Sequence, residues 1–179
     1  MTSGMFRQGM VITLLAIATA WADTDEFIER AGDVLQVALP LTALTATYTL
    51  DDPEGRTQLL LAYGSTMGLT YLGKYTIGKE RPDGSDNLSF PSGHTSSAFS
   101  GASFLARRYG WDVGLPAYLA ASFTGYSRVH ANRHDEWDVL AGAALAIGIN
   151  HWLVSPQANS TVSVLTTDQG LVIGYQHTF

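Results

Sequence analysis

Ser127-Arg128-Val129-His130-Ala131-Asn132-Arg133-His134-Asp135-Glu136-Trp137-Asp138 is the stretch from which the rest of the chain can be read. His134 and Asp138 stand four residues apart. On a helix the Asp138 carboxylate accepts the Nδ1 proton of His134 and leaves Nε2 aimed outward to attack. Arg128 adds a planar, permanently charged fork suited to the oxygens of a transferred phosphoryl group. A metal site is the competing arrangement, with His130, His134 and Asp138 as ligands at i, i+4 and i+8. The neighbouring Arg128 and Arg133 oppose a second cation there.

Working upstream, Pro91-Ser92-Gly93-His94, followed by Thr95-Ser96-Ser97, reads as a turn that opens a helix. Backbone N–H groups at a helix N-terminus form an anion site, and Gly93 permits close backbone approach. His94 would stand beside that anion, and an ordinary histidine pKa near 6.5 suits an acid that protonates a leaving alkoxide. The same four residues also read as a plain helix cap with an exposed histidine. Farther upstream, Lys74 and Arg81-Pro82 follow an apolar run, two helical turns apart, and face one way if the helix continues through them. A lysine point charge and an arginine fork together cradle one phosphate, although cations that merely flank the end of an apolar helix are common. Phosphoryl transfer needs cations, a nucleophile and an acid, and these three clusters contain each type.

Composition narrows the setting. The chain of 179 residues suits one domain, has no cysteine, and carries a net charge of −6. Disulfides, cysteine-ligated zinc and thiol catalysis are therefore excluded, and an acidic chain is a poor general binder of nucleic acid. Of ten Lys and Arg residues, five (Lys74, Lys79, Arg81, Arg128 and Arg133) fall in two of the clusters just described.

Residues 1–22 have the parts of a secretory leader: Arg7, an apolar run, then Ala20-Trp21-Ala22 before an acidic segment. A retained first membrane anchor is the other reading. Uncharged stretches of 17 residues at 34–50 and 57–73 are borderline membrane spans, and further apolar runs follow at 95–106, 113–126 and 139–154. These runs are rich in small residues, as helix contacts in membranes often are. A mean hydropathy of +0.07 is low for a polytopic protein, so buried helices of a soluble all-α domain are the alternative. If each run is one helix, the three chemical clusters share one end. Arg56 and a loop at Arg107-Arg108 then fall at the other, cytoplasmic by the positive-inside rule. From Thr161 onward, alternation around Asp168-Gln169-Gly170 predicts a short β-hairpin. The expected organisation is a leader or anchor at 1–22, an all-α catalytic domain at 23–158, and a tail at 159–179.

Taken together, Lys74-x6-Arg81-Pro82, Pro91-Ser92-Gly93-His94 and Ser127-Arg128-x5-His134-x3-Asp138 resemble the three-part signature of the type 2 phosphatidic acid phosphatase (PAP2) superfamily. Eleven residues match in order. The resemblance implies a helical bundle, phosphate binding by Lys74, Arg81, Ser92, Gly93 and Arg128, His94 as leaving-group acid, His134 as nucleophile and Asp138 as its orienter. It implies no metal or other cofactor. It also suggests a phosphorylated lipid substrate at a bacterial inner membrane, with the site facing the periplasm. Phosphatidylglycerol phosphate, phosphatidic acid, undecaprenyl diphosphate and lipid A phosphate are all open. A soluble periplasmic acid phosphatase, a vanadium-dependent haloperoxidase and a non-catalytic anion-binding membrane protein are the rival readings. His130, His151 and His177 are expected at the surface, Lys79 and Arg133 as solvated or rim charges, and Trp111, Trp137 and Trp152 at helix ends.

Overall fold

Asp52 ends one apolar segment and starts the next, because its Oδ1 accepts the Gly55 N–H at 2.9 Å while Pro53 opens the helix that follows. The two helices so joined are α1 (Thr24–Thr49) and α2 (Pro53–Ile77). They precede α3 (Gly93–Tyr109), α4 (Trp111–His130) and α5 (Glu136–Leu153). This computed structural model describes residues 24–157, 159–167 and 170–178; the leader or anchor expected over 1–22 lies outside them. The described body is the all-α bundle that the apolar runs predict. Beyond it, β1 (Asn159–Thr167) and β2 (Gly170–Thr178) pair antiparallel, with Val164 opposite Ile173.

Helix α3 is the axis of the bundle and packs against α1, α2, α4 and α5. Its small residues make that possible. At Gly101 a Cβ would fall 2.5 Å from the backbone nitrogen of Pro40, so only glycine admits α1 at this crossing. Pro40 has no N–H, which deprives the Gln36 carbonyl of its helical donor; Ser97 Oγ replaces it at 2.7 Å. Sequence, backbone defect and packing are joined at one point.

The interior is rich in hydroxyls. Thr66, Thr70, Ser96, Ser100 and Thr124 are fully buried, and Thr70 Oγ1 donates to Ser96 Oγ at 2.9 Å. Large apolar side chains such as Leu60, Leu61, Leu69, Leu72 and Ile77 are instead exposed along α2. The uncharged stretch 57–73 lies within α2, and 34–50 lies in α1 except for its last residue. Among the described residues, however, no helix is long and apolar enough to cross a membrane. The physical reason is this distribution: polar side chains on the buried faces lower the mean hydropathy of helices whose outer faces are apolar.

At the end remote from the chemical clusters, Arg108 is buried against Asp52, with Nη2 to Oδ1 2.7 Å and Nε to Oδ2 2.8 Å. Its Nη1 also donates to the Ser155 carbonyl at 3.0 Å, tying the α1–α2 turn to the segment after α5. The expected Arg107–Asp112 loop is therefore corrected. Helix α3 runs through both arginines, and Gly110, at φ 93, alone separates it from α4. Arg108 is a neutralised interior charge, not a free loop cation.

Candidate active site

The three clusters meet at one end of the bundle, each delivered by a different local device. Helix α2 stops at Ile77 because Gly78 takes the left-handed conformation (φ 61, ψ 39), with its N–H on the Lys74 carbonyl. Lys74 thus lies in the last helical turn, whereas Arg81 lies on the loop beyond it. The condition that one helix continue through both is not met, because Gly78 ends it. The loop folds back on itself, with Arg81 N–H on Asp86 O and Ser89 N–H on Lys79 O, both at 2.9 Å.

Helix α3 begins at Gly93, and Ser92 is its N-cap, accepting from Thr95 N at 3.4 Å and Thr95 Oγ1 at 3.0 Å. The Ser92 side chain is fully buried in this capping role. Gly93 abuts the stem of Lys74, since a Cβ there would stand 3.6 Å from Lys74 Cε. His94 follows in the first turn, where its Nε2 lies 2.9 Å from Asp33 Oδ1 on α1.

Helix α5 starts at Glu136, so His134 precedes the helix instead of sharing it with Asp138. The cause is a reciprocal cap: Asp135 Oδ1 accepts the Asp138 N–H at 3.0 Å, and Asp138 Oδ2 accepts the Asp135 N–H at 3.2 Å. His134 Nδ1 still faces Asp138 Oδ2 at 3.4 Å, the long end of hydrogen bonding. Its Nε2 lies 3.2 Å from Arg81 Nη1. A guanidinium can only donate, so Nε2 carries the lone pair and the proton belongs on Nδ1, toward Asp138.

A cavity of about 490 Å³ opens at this point. Its wall includes Arg81, Arg128, His94, His134 and Asp33, with Arg133 at the rim bonded to Glu29 and Asp83. Lys74 is not on that wall: its ammonium donates to the carbonyl of Leu88 at 2.5 Å, with Ser89 O at 3.4 Å. Burial, then the nearby Arg81, pushes its pKa down to about 8. His134 is only 2% exposed; burial, then Lys74 and Arg81, pushes its pKa down to about 4 despite the counter-pull of Asp138. Burial favours protonation of Asp138, but hydrogen bonds from Lys79 and Ser89 outweigh it and keep the carboxyl below its ordinary range. At neutral pH the site therefore holds a neutral, oriented imidazole beside an ionised carboxylate and fixed cations.

Three residues of this network escape the sequence reading. Lys79, expected as a solvated or rim charge, bonds Asp138 Oδ1 at 2.8 Å and also contacts Asp135. Ser89, fully buried, donates to Asp138 Oδ2 and approaches His134 Nδ1 at 3.4 Å. Asp33 bonds both His94 and Arg128, the latter at 2.8 Å. His130 turns away to Asp25 at 3.0 Å, so the His130–His134–Asp138 metal arrangement does not form. His151 is exposed; the side chain of His177 lies outside the described residues.

A helical bundle with cations, a buried neutral histidine and a second histidine around one cavity defines a protein built for phosphoryl chemistry. The chain belongs to the PAP2 superfamily, which residues 56–161 match. It is 30% identical over 155 residues to a lipid A 4'-phosphatase of Helicobacter pylori, covering 74% of this chain and 77% of that protein. Over 93 residues it is 43% identical to a lipid A 1-phosphatase of Porphyromonas gingivalis, a match covering 48% of this chain but only 21% of that relative's length. The crystal structure of Aquifex aeolicus LpxE superposes with a TM-score of 0.64 at 22% identity, covering 80% of this chain and 93% of that one, a likeness of fold.

Proposed function

We propose that the chain is a metal-independent phosphatase of phosphorylated membrane lipids, acting through a phosphohistidine on His134. The observation that supports it best is the state of His134: buried yet lining the cavity, neutral, with Nε2 toward Arg81 and Nδ1 toward Asp138. In the first step the Nε2 lone pair attacks phosphorus, the bond to the leaving oxygen breaks, and His94 gives that oxygen its proton. Arg81, which now donates to Nε2, and Arg128 take the non-bridging oxygens, with Lys74 adding positive field from behind Gly93. At the start of α3 the Gly93 N–H is the backbone donor to the same anion; the Ser92 N–H is held by the Asp138 carbonyl at 2.9 Å, and Ser92 serves by capping the helix. In the second step water attacks phosphorus, His94 takes the water proton, and the N–P bond breaks to free Nε2. Asp138 holds Nδ1–H throughout and stabilises the charge that the ring acquires. Residues 23–158 carry this unit.

Both curated relatives are named as lipid A phosphatases, so lipid A phosphate ranks first among the lipid substrates. A lipid setting is also supported by the bundle surface, where apolar side chains face out and hydroxyls face in. Trp137 is exposed at the site end, and Trp111 and Trp152 are exposed at the opposite end, as aromatic anchors at membrane interfaces are. We place the site at the periplasmic face of the inner membrane.

Phosphate release in EDTA from lipid A, phosphatidic acid and p-nitrophenyl phosphate, each beside His134→Ala, tests the reading. The expected result is lipid turnover that survives EDTA and disappears in the variant. Turnover of p-nitrophenyl phosphate alone would favour a soluble-ester phosphatase, and none on any substrate would leave an anion-binding protein.

A further inference from the structure

Asp33 belongs to none of the three sequence clusters, yet its Oδ1 stands 2.9 Å from His94 Nε2 and 2.8 Å from Arg128 Nη1. The approach is built into α1. At the adjacent Gly32 a Cβ would fall 1.9 Å from Ser127 Oγ and 3.1 Å from Arg128 Nη2, so a side chain there would force the helices apart. One turn earlier, the Glu29 carbonyl accepts from Arg128 Nη2 at 2.6 Å. Helix α1 thus grips Arg128 by a backbone carbonyl and a carboxylate, and the same carboxylate reaches the histidine.

We infer that Asp33 is a positioning residue, fixing through one oxygen both the His94 imidazole and the Arg128 guanidinium so that acid and phosphate clamp keep one geometry. The inference rests on the reading of His94 as leaving-group acid. A carboxylate accepts, so Nε2 of His94 carries a proton and the nitrogen that exchanges its proton is Nδ1.

The charge of Asp33 matters as well. His94 shares its cavity with Asp33 and Glu29 from α1 and with Arg81 and Asp86 from the loop. Arg128 lines it from α4, and Arg133 and His134 from the turn after α4. Burial, then Arg128, pushes the proton affinity of His94 down, and Asp33 opposes both. Removing that carboxylate lets the ring lose its proton at lower pH. The acid form is the active one, so the alkaline limb of the rate profile moves downward in pH.

The experiment compares wild type, Asp33→Asn and Asp33→Glu on dioctanoyl phosphatidic acid, whose leaving group needs a proton, and on p-nitrophenyl phosphate, whose leaving group does not. For Asp33→Asn, kcat on phosphatidic acid should fall about 10- to 100-fold. Its alkaline limb should shift down by about one pH unit, and the loss on the nitrophenyl ester, which needs the Arg128 clamp but not the acid, should be about tenfold smaller than on phosphatidic acid. Asp33→Glu should restore part of the rate. Equal losses on both substrates, or an unmoved limb, would overturn the inference. So would faster turnover with tighter vanadate inhibition, which would make Asp33 a carboxylate that competes with phosphate for Arg128. Should Asp33→Asn not fold, long-range ¹H–¹⁵N spectra of the wild-type His94 ring decide: a proton on Nε2 supports the inference and a proton on Nδ1 alone refutes it. A wild type inactive on every substrate would count against the proposed function, whereas an active wild type with an unmoved limb counts against Asp33 alone.

Discussion

Acidification probes the environment of His134 directly. In the unfolded chain its pKa is near the ordinary 6.5, whereas in the folded protein burial, Lys74 and Arg81 bring it to about 4. At pH 5.5 an ordinary histidine would be only about 10% neutral, and one titrating near 4 about 97% neutral. The folded state resists the proton that the unfolded chain accepts. Stability contributed by neutral His134 is thus complete above about pH 6.5 and is lost as pH falls toward 4. The gap corresponds to about 3 kcal/mol at full loss, an order-of-magnitude figure. Two assays measure it. The ¹⁵N shifts of the His134 ring, followed from pH 7.5 to 4, should stay those of a neutral imidazole protonated on Nδ1 until below pH 5. Urea midpoints at pH 7 and 4.5 should fall more for wild type than for His134→Gln, which cannot titrate. His94, also depressed by burial and Arg128, is present in both proteins and cancels from that difference. A ring that titrates near 6.5, or equal pH slopes in the two proteins, would refute the argument.

Asp138→Asn keeps the shape but offers an amide donor to Nδ1, favouring the tautomer with its proton on the attacking nitrogen. kcat should fall by about 10³ with KM changed only a few-fold, measured by steady-state phosphate release. His94→Ala should cost about 10²-fold on a lipid alkoxide and under about tenfold on p-nitrophenyl phosphate, read from the kcat of each. Asp52→Ala, far from the site, strands Arg108, whose side chain is 3% exposed. Loss of one partner of a buried pair should lower unfolding free energy by about 3–5 kcal/mol, checked by denaturant titration, while kcat of the folded fraction is unchanged.

How much was legible in the sequence differed between local and distant relations. His134, Asp138, Arg128, His94 and Arg81 were found because each lies in a short cluster whose residue types belong to one chemistry. All five meet at one end of the bundle. The helical runs were legible from the apolar stretches 34–50, 57–73, 95–106, 113–126 and 139–154. Two boundary signals went unused: Gly78 is a helix stop in the left-handed region, and Asp135 with Asp138 is a capping box. Without them, the routes by which Arg81 and His134 reach the cavity stayed open. Asp33 was invisible for a different reason. It acts on His94 from 61 positions away, and no spacing rule spans a whole intervening helix. Ser89 sits in a loop with nothing in its neighbours to mark a buried hydroxyl, and Lys79 looked like any cation after a helix until the fold set it on Asp138. The membrane question was obscured by averaging, since hydropathy along a helix mixes its buried threonines with its exposed leucines.

The most direct test of the central claim is to trap the covalent intermediate. Purified protein is mixed with a fast-leaving phosphate ester in EDTA, quenched in alkali, where phosphohistidine survives, and digested for mass spectrometry. The account predicts one phosphate on the peptide containing His134, attached at Nε2, absent from His134→Ala and more persistent in His94→Ala. Steady turnover with no phosphopeptide at any quench time, or label on a different residue, would contradict it.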